Sequence, residues 1–412
     1  MTSRRKLIVV LIDGLSADYF NLHRHRLPYL DGLVARGTQV RRLTSPTPAT
    51  SMPGRTSMIT GRPSQEHGVF GNHVFDGETF RCATPDDVVA PTILARAQAG
   101  GLKAASVGFA MADPKDADLY QPPWWLRSFM DNSRFAKALD PSSLARLYAT
   151  HGHSEPLEHK QSLGDEASDL PQEAESQLML GLASDQLVVG AAAELACSDE
   201  PPDLILTEIA MTDQIQHRFG FASPEAHWSL GTADMLIGHL MHRLREAGRD
   251  SDYAVAITSD HGHSTIDTAI NPSAILSGMQ FQSEGATLHV AVENKAEEKD
   301  VAQRLRAVGA ESIGSMHVPP KLRGRVVAFA APPRHSFEEA ASEEDRAPLR
   351  KPRYVSSHGL RPGAPADDRF CVFTGSGIGE AQIERADAEA FASTLASVLA
   401  LPVAKGDHEP LF

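Results

Sequence analysis

Four apolar runs, each closing near a carboxylate, constrain the fold more than any other feature of this sequence. They are KLIVVLID (Lys6 to Asp13), LKAASVGFAMAD (Leu102 to Asp113), DLILTEIAMTD (Asp203 to Asp213) and YAVAITSDHGH (Tyr253 to His263). The first is continuous and β-branched, without polar alternation, which suits a strand buried on both faces. Helical stretches, notably APTILARAQAGG, SDQLVVGAAAELA and SLGTADMLIGHLMHRLREAG, intervene. Strands alternating with helices make a parallel sheet covered on both faces. The expected class is α/β, with a central, mostly parallel sheet flanked by helices. Such sheets bind ligands beyond the carboxyl ends of their strands. Asp13, Asp213, Asp260 and His261 all fall there.

Two segments interrupt this rhythm and divide the 412 residues. The expected organisation is a core in three parts, 1–113, 183–283 and 351–412, with an insertion at 114–182 and a cap at 284–350. The first insertion is rich in Pro, Ser, Asp and Glu and carries Trp124, Trp125 and Phe129 near its start. It is read as a wall of the substrate pocket or as a small packing cluster of its own. The cap is a small α+β unit: the strand TLHVAVE, the helix AEEKDVAQRLRAVG and the strand GRVVAFAA, followed by the acidic loop FEEAASEEDRAP. ADAEAFASTLASVLALP is an amphipathic closing helix.

A hydrophobic share of 42%, with 22% charged residues, describes an ordinary soluble globular protein. The net charge of −14 argues against a nucleic-acid polymer as partner. A small anionic, phosphate-containing substrate remains compatible where cations neutralise the site locally. The three cysteines, Cys82, Cys197 and Cys371, lie far apart, which excludes a disulfide framework or a thiolate zinc site. The run from Leu7 to Ile12 is too short for a signal peptide and lacks a small-residue cleavage site. No stretch has the apolar length of a membrane span. The cytoplasm is the expected compartment, and oligomeric state is left open, a dimer being one option.

The chemistry is placed on TPATSMPGRTSMITGRPSQEH, Thr47 to His67. Pro53 suits a first helical turn, and Gly61 can end the helix. Ser51 at its start reads either as a cap for orphan amides or as a nucleophile whose developing charge meets those amides. Among 18 histidines an isolated one means little, so His23, His151 and His153 carry no argument. The informative groupings join carboxylate and imidazole: Asp13, the i,i+4 pair Asp213 and His217 of TDQIQH, the neighbours Asp260 and His261, and His358 in the turn-rich SSHGLRP. Three Asp and three His, with the Ser51 oxygen, suffice for two zinc-like ions in mixed oxygen and nitrogen shells.

The order VLIDGL, SMPGRTSMITGRPSQEHGVFGN, TDQIQH, SDHGH and SSHG resembles the alkaline phosphatase superfamily, most of all its nucleotide pyrophosphatase/phosphodiesterase branch. The resemblance covers most of the chain outside the insertions. It implies an alkaline phosphatase-like fold and two Zn2+ ions, with Mn2+ as the alternative metal. Asp213, His217 and His358 would hold one ion. Asp13, Asp260 and His261 would hold the other, with Ser51 bound to it as nucleophile. Asn72 would face a non-bridging phosphoryl oxygen, helped by the first amides after Ser51. Arg55 and Phe70 join Asn72 as expected substrate-binding residues, with Trp124, Trp125 and Phe75 as further stacking candidates. The implied reaction is hydrolysis of a phosphodiester or pyrophosphate bond through a phosphoseryl intermediate.

The branch usually carries threonine as nucleophile, and Thr50 stands one residue before Ser51. SMPGR also resembles the Ser/Cys-x-Pro-x-Arg signature of sulfatases, although these usually have paired aspartates after the first strand, and Gly14 follows Asp13 here. Phosphonoacetate hydrolase, a C–P hydrolase, shares the look of HGVFGNHVFD, TDQIQH and SSHG. It needs cations for a substrate carboxylate, whereas Gly108 to Ala112 are uncharged and Lys115 comes later. A sulfatase or phosphonate monoester hydrolase, and an inactive metal-binding relative, are the remaining readings. Either Arg55 or Arg62 could bind an extra anionic oxygen, favouring monoesters or sulfates. An aryl nucleotide diester is expected to be the better substrate.

Overall fold

The computed structural model describes residues 5–125, 173–339, 347–404 and 406–412. Phe129, His151 and His153, most of the first insertion and part of the acidic loop lie outside the described residues.

Eight strands form the central sheet: β1 (Lys6–Ile12), β2 (Thr38–Leu43), β3 (Ala104–Val107), β4 (Leu119–Gln121), β5 (Leu204–Ile209), β6 (Tyr253–Thr258), β7 (Arg369–Gly375) and β8 (Ala381–Ile383). Their order is β8-β2-β7-β6-β1-β5-β3-β4. All pairings are parallel except those of β7, which runs antiparallel to both β2 and β6. The fold is the α/β arrangement read from the strand–helix alternation. In β1, Leu7, Val9 and Leu11 belong to one apolar cluster, and Ile8, Val10 and Ile12 to the other. Successive side chains of a strand point to opposite faces, so this one strand seeds a core on each side.

The helices cover those faces. Glu173–Cys197 and Pro224–Glu246 supply Val189, Ala192, Leu230 and Ile237 to one cluster. Ala390–Val398 supplies Phe391 and Leu395 to the other. The sheet reaches past residue 113, because Leu119–Gln121 joins it as an edge strand against β3. Three residues of LYQ are too short to show a period, and pairing with β3 decides their state.

Between β6 and β7 lies a four-stranded antiparallel sheet of Phe281–Glu284, Thr287–Ala291, Val326–Ala330 and Glu311–Gly314, in that spatial order. The helix Lys295–Arg306 buries Val301 and Leu305 against its Leu288, Val290 and Phe329. Among the described residues no helix is long and apolar enough to cross a membrane.

Candidate active site

Topology brings the carboxylates together. Strands β6, β1 and β5 are adjacent and parallel. Asp260, Asp13 and Asp213 therefore leave the same edge on neighbouring strands, about 4.8 Å apart in the pairing direction. Asp213 sits in the first turn of the helix Met211–Phe219, with His217 one turn on. The turn after β1 needs glycine: Gly14 has φ +70°, and a Cβ there would lie 2.8 Å from His263 Cδ2.

The helix Ser51–Thr60 packs against the same edge. A Cβ on Gly54 would stand 2.4 Å from the Asp260 carbonyl oxygen, so glycine permits the close approach. The approach carries Arg55 into the floor of the site, where it is fully buried. Its Nε donates to Glu208 at 3.0 Å, its Nη2 to Asp13 Oδ2 at 2.6 Å and its Nη1 to Asp260 Oδ2. From the sequence Arg55 is an expected substrate-binding residue; in the structure all three edges of its guanidinium are held by carboxylates inside the protein.

Asp213 Oδ1 lies 3.3 Å from His217 Nε2, 3.8 Å from His358 Nε2 and 4.0 Å from His261 Nε2. His261 Nε2 is 3.4 Å from both Asp13 Oδ1 and Asp260 Oδ2, and 3.2 Å from Ser51 Oγ. The opposite ring nitrogens fix the tautomers. Nδ1 of His217, His261 and His358 faces the backbone carbonyls of Ser356, Gly262 and Ala49 at 2.7, 3.0 and 3.1 Å. A carbonyl only accepts, so each Nδ1 carries the proton.

The three Nε2 atoms therefore point inward, toward the carboxylate oxygens of Asp13, Asp213 and Asp260. A divalent ion among them would take a lone pair from each imidazole and each carboxylate. Asp13 Oδ1 is buried and, among the described residues, has no hydrogen-bond donor. Burial pushes the Asp13 carboxyl well above the usual range despite Arg55 beside it. The donor set of imidazole and carboxylate, oriented by outer hydrogen bonds, fits divalent ions of the zinc type. Two groupings have their ligand atoms within 4.8 Å of one another, Asp13–Asp260–His261 and Asp213–His261–His358.

A third such grouping, Asp213–His217–His263, includes a histidine that sequence reasoning passed over. His263 Nε2 lies 2.7 Å from Asp213 Oδ1, and its Nδ1 lies 2.9 Å from Ser356 Oγ. Burial lowers its pKa to about 4, so the ring is neutral. It can donate to Asp213 while accepting the Ser356 hydroxyl proton. SDHGH contains it, but only the fold shows that it turns back to Asp213.

Ser51 is half-buried, whereas Thr50 is sealed, its Oγ1 without a partner among the described residues. The reachable hydroxyl is that of Ser51. The first amides after it do not form an anion cradle, contrary to expectation. Met52 N donates to Asn72 Oδ1 at 2.9 Å, Pro53 has no N–H, and Gly54 N bonds to the Thr50 carbonyl. Fixing Asn72 by its oxygen leaves its NH2 group as the donor for a ligand. Phe70 is 1% exposed and meets His289 edge-on at 5.4 Å, so it belongs to the core and offers no stacking face. Phe75 is likewise buried against Phe80. Trp124 and Trp125 are half-buried, their indole N–H groups donating to Asp185 at 3.1 Å and Glu208 at 2.7 Å.

A sequence model of the family described as type I phosphodiesterase/nucleotide pyrophosphatase matches residues 7–348. The chain is 25% identical over 280 residues to an uncharacterized pyrophosphatase/phosphodiesterase of Schizosaccharomyces pombe, covering 65% of this chain and 48% of that one. It is 22% identical over 268 residues to the bis(5'-adenosyl)-triphosphatase ENPP4 of Bos taurus, covering 62% of this chain and 47% of that one. The chain spans about half the length of these relatives. Among solved structures, an inactive form of murine ectonucleotide pyrophosphatase/phosphodiesterase 5 in complex with AMP superposes with a TM-score of 0.70 at 16% identity, covering 97% of this chain and 96% of that one. The human protein of that name gives the same TM-score over 98% and 97%. At such identity the likeness establishes the fold.

Proposed function

The chain belongs to the type I phosphodiesterase/nucleotide pyrophosphatase family of hydrolases, and from that membership we propose that it cleaves a nucleotide phosphodiester or pyrophosphate bond with Ser51 as nucleophile. The observation that carries the proposal is the set of Nε2 atoms, each held by an Nδ1–carbonyl hydrogen bond, facing Asp13, Asp213 and Asp260 beside the Ser51 hydroxyl. Asp213, His217 and His358 would hold one divalent ion, and Asp13, Asp260 and His261 the other, most simply zinc. When bound, the pair supplies a lowered pKa for a hydroxyl and neutralises developing phosphoryl charge.

The chain's own residues do the rest. Ser51 Oγ attacks phosphorus as the bond to the leaving oxygen breaks, giving a phosphoserine that water then cleaves. The Asn72 NH2 donates to a non-bridging oxygen. Arg55 neutralises and orients Asp13 and Asp260 from beneath. His263 and Ser356 hold Asp213 in place. Trp124 and Trp125 offer an apolar wall for the group that a diester retains. The segment Phe109 to Ala112 is buried and has no cation for a substrate carboxylate, so phosphonoacetate is a poor fit. The similar proteins include a bis(5'-adenosyl)-triphosphatase and a structure in complex with AMP, and an adenine nucleotide is accordingly the first substrate to try.

Side-by-side kinetics on a nitrophenyl ester of a nucleoside monophosphate, nitrophenyl phosphate, nitrophenyl sulfate and phosphonoacetate test the substrate class. The diester is expected to be cleaved fastest, and a preference for any of the others overturns the assignment. Ser51→Ala should abolish turnover while Thr50→Ala retains it. The reverse result would move the nucleophile by one residue.

A further inference from the structure

A second cluster of reactive side chains lies one residue along the chain from Asn72. The hairpin of His73–Phe75 and Phe80–Cys82 sets His73 directly opposite Cys82. Cys82 Sγ is 3.5 Å from His73 Nε2, and the other ring nitrogen, Nδ1, is 3.3 Å from Glu284 Oε1. Glu284 reaches in from the inserted sheet with its side chain fully buried. Thiol, imidazole and buried carboxylate in sequence form the arrangement that activates a cysteine: the base takes the thiol proton, and the carboxylate orients and stabilises the imidazolium. The Ser51 reaction uses none of the three.

The surroundings support the reading. The His73 hydrogen bond lowers the Cys82 pKa against the opposing effects of burial and of Glu284. Burial lowers His73, but its bonds to Cys82 and Glu284 outweigh this and raise it to about 10. The neighbouring charges of Arg81 and Asp87 are paired with each other. The other two cysteines differ. Cys371 is buried and pushed up to about 12, and Cys197 is raised by burial, with its thiol 3.5 Å from the Arg243 carbonyl. Cys82 is half-buried and within reach of a small reagent.

We propose that Cys82, with His73 and Glu284, is a site of reversible oxidation by hydrogen peroxide or small organic hydroperoxides, and that its oxidation switches off the Ser51 site through Asn72. In the first step the Cys82 sulfur attacks one peroxide oxygen. The S–O bond forms as the O–O bond breaks, sulfur is oxidised by two electrons, and the departing hydroxide, or alkoxide from an organic hydroperoxide, takes the His73 proton as water or alcohol. Cys82 becomes a sulfenic acid, which thiols reduce. The added oxygen must fit into the 3.5 Å gap to His73. Glu284, which holds the ring at Nδ1, also accepts from the backbone N–H of His73 at 2.9 Å and of Asn72 at 2.7 Å, so a shift of the ring with its carboxylate reaches Asn72. Ala83 N, next to Cys82, bonds to the Asn72 carbonyl at 2.9 Å. Displacing this group withdraws Asn72 from Met52 and from substrate. This second half rests on the phosphodiesterase reading; the thiol chemistry does not.

The test uses the full chain, zinc-loaded, treated with hydrogen peroxide and dimedone at pH 6.5, with cysteine labelling followed by peptide mass spectrometry and diester hydrolysis in parallel. An ordinary thiol is only about 1% thiolate there, partly offset by its greater intrinsic nucleophilicity, so Cys82 should label about tenfold faster than Cys197. His73→Gln should slow Cys82 about tenfold and leave Cys197 unchanged. Activity should fall in step with Cys82 labelling in parallel samples without dimedone, and return with dithiothreitol. Cys82→Ser should start at normal activity and withstand peroxide. Cys82 labelling no faster than Cys197, or indifferent to His73→Gln, overturns the thiol site. Cys82 oxidised with activity intact, or Cys82→Ser inactivated like the parent, overturns the coupling. Absence of diester hydrolysis before oxidation counts against the phosphodiesterase reading, and labelling rates still decide the thiol site.

Discussion

Replacing Arg55 with methionine removes the guanidinium that contacts Asp13, Asp260 and Glu208 while keeping an apolar stem of similar length. All four side chains are buried, with exposures of 0, 8, 0 and 2% for Arg55, Asp13, Asp260 and Glu208. Removing one partner of a buried ion pair costs about 3–5 kcal/mol, because the remaining charge is left uncompensated. Here three carboxylates lose one guanidinium, so the upper end of that range is expected. That is a large part of the roughly 5–15 kcal/mol that holds a typical domain together. Urea unfolding of metal-depleted protein should show the full loss. Saturating zinc should reduce it, since the ions neutralise Asp13 and Asp260 from the other side. Arg55→Lys should fall between, because one ammonium cannot serve three carboxylates in planar geometry. Kinetics add a separate signature: kcat should drop while KM for a diester stays within about threefold, as no substrate contact is lost. A destabilisation below about 1 kcal/mol with a raised KM and unchanged kcat would refute the buried clamp and return Arg55 to the substrate.

Two further predictions concern single residues. Asn72→Ala should lower kcat about 10²–10³-fold, the usual cost of losing one oxyanion donor, while bound metal stays unchanged; a smaller loss removes Asn72 from the phosphoryl oxygens. Burial lowers His67 to about 3, with Val69 N donating to Nδ1 and Nε2 facing Ser57 Oγ. The unfolded chain binds this proton near pH 6.5 and the folded one does not, so stability is complete above pH 6.5 and falls as pH drops from there toward 3, by about 1.4 kcal/mol per unit from this group. Denaturant titrations at several pH values should show that slope reduced by one proton in His67→Gln, and an unchanged slope would remove His67 from the acid response.

The sheet was legible because its strands are unbroken apolar runs whose burial on two faces leaves no room for alternation. The carboxylates were legible for a related reason: a charge abruptly ending such a run has to sit at the sheet edge. The i,i+4 spacing of Asp213 and His217 worked because a helix does follow β5. What stayed hidden depends on contacts between distant parts of the chain. Arg55 reads as an anion binder until Asp13, Glu208 and Asp260 are seen around it, 42, 153 and 205 residues away. Phe70 looks available in HGVFGN, and only the packing of the inserted sheet shows it covered. The amides of the Ser51 turn promise a cradle, but the Asn72 side chain and the helix itself use them. His263 and Glu208 gave no signal, since neither spacing nor composition separates them from ordinary buried polar residues.

Anomalous X-ray scattering across the zinc absorption edge, from crystals of the zinc-loaded protein, tests the central claim most directly. Two peaks are predicted, each with ligand atoms at about 2.0–2.2 Å. One should lie among Asp213, His217 and His358, the other among Asp13, Asp260 and His261 next to the Ser51 hydroxyl. A single peak, or an ion held by His263 with His217 or His358 turned away, would contradict the two-ion site on which the proposed Ser51 chemistry depends.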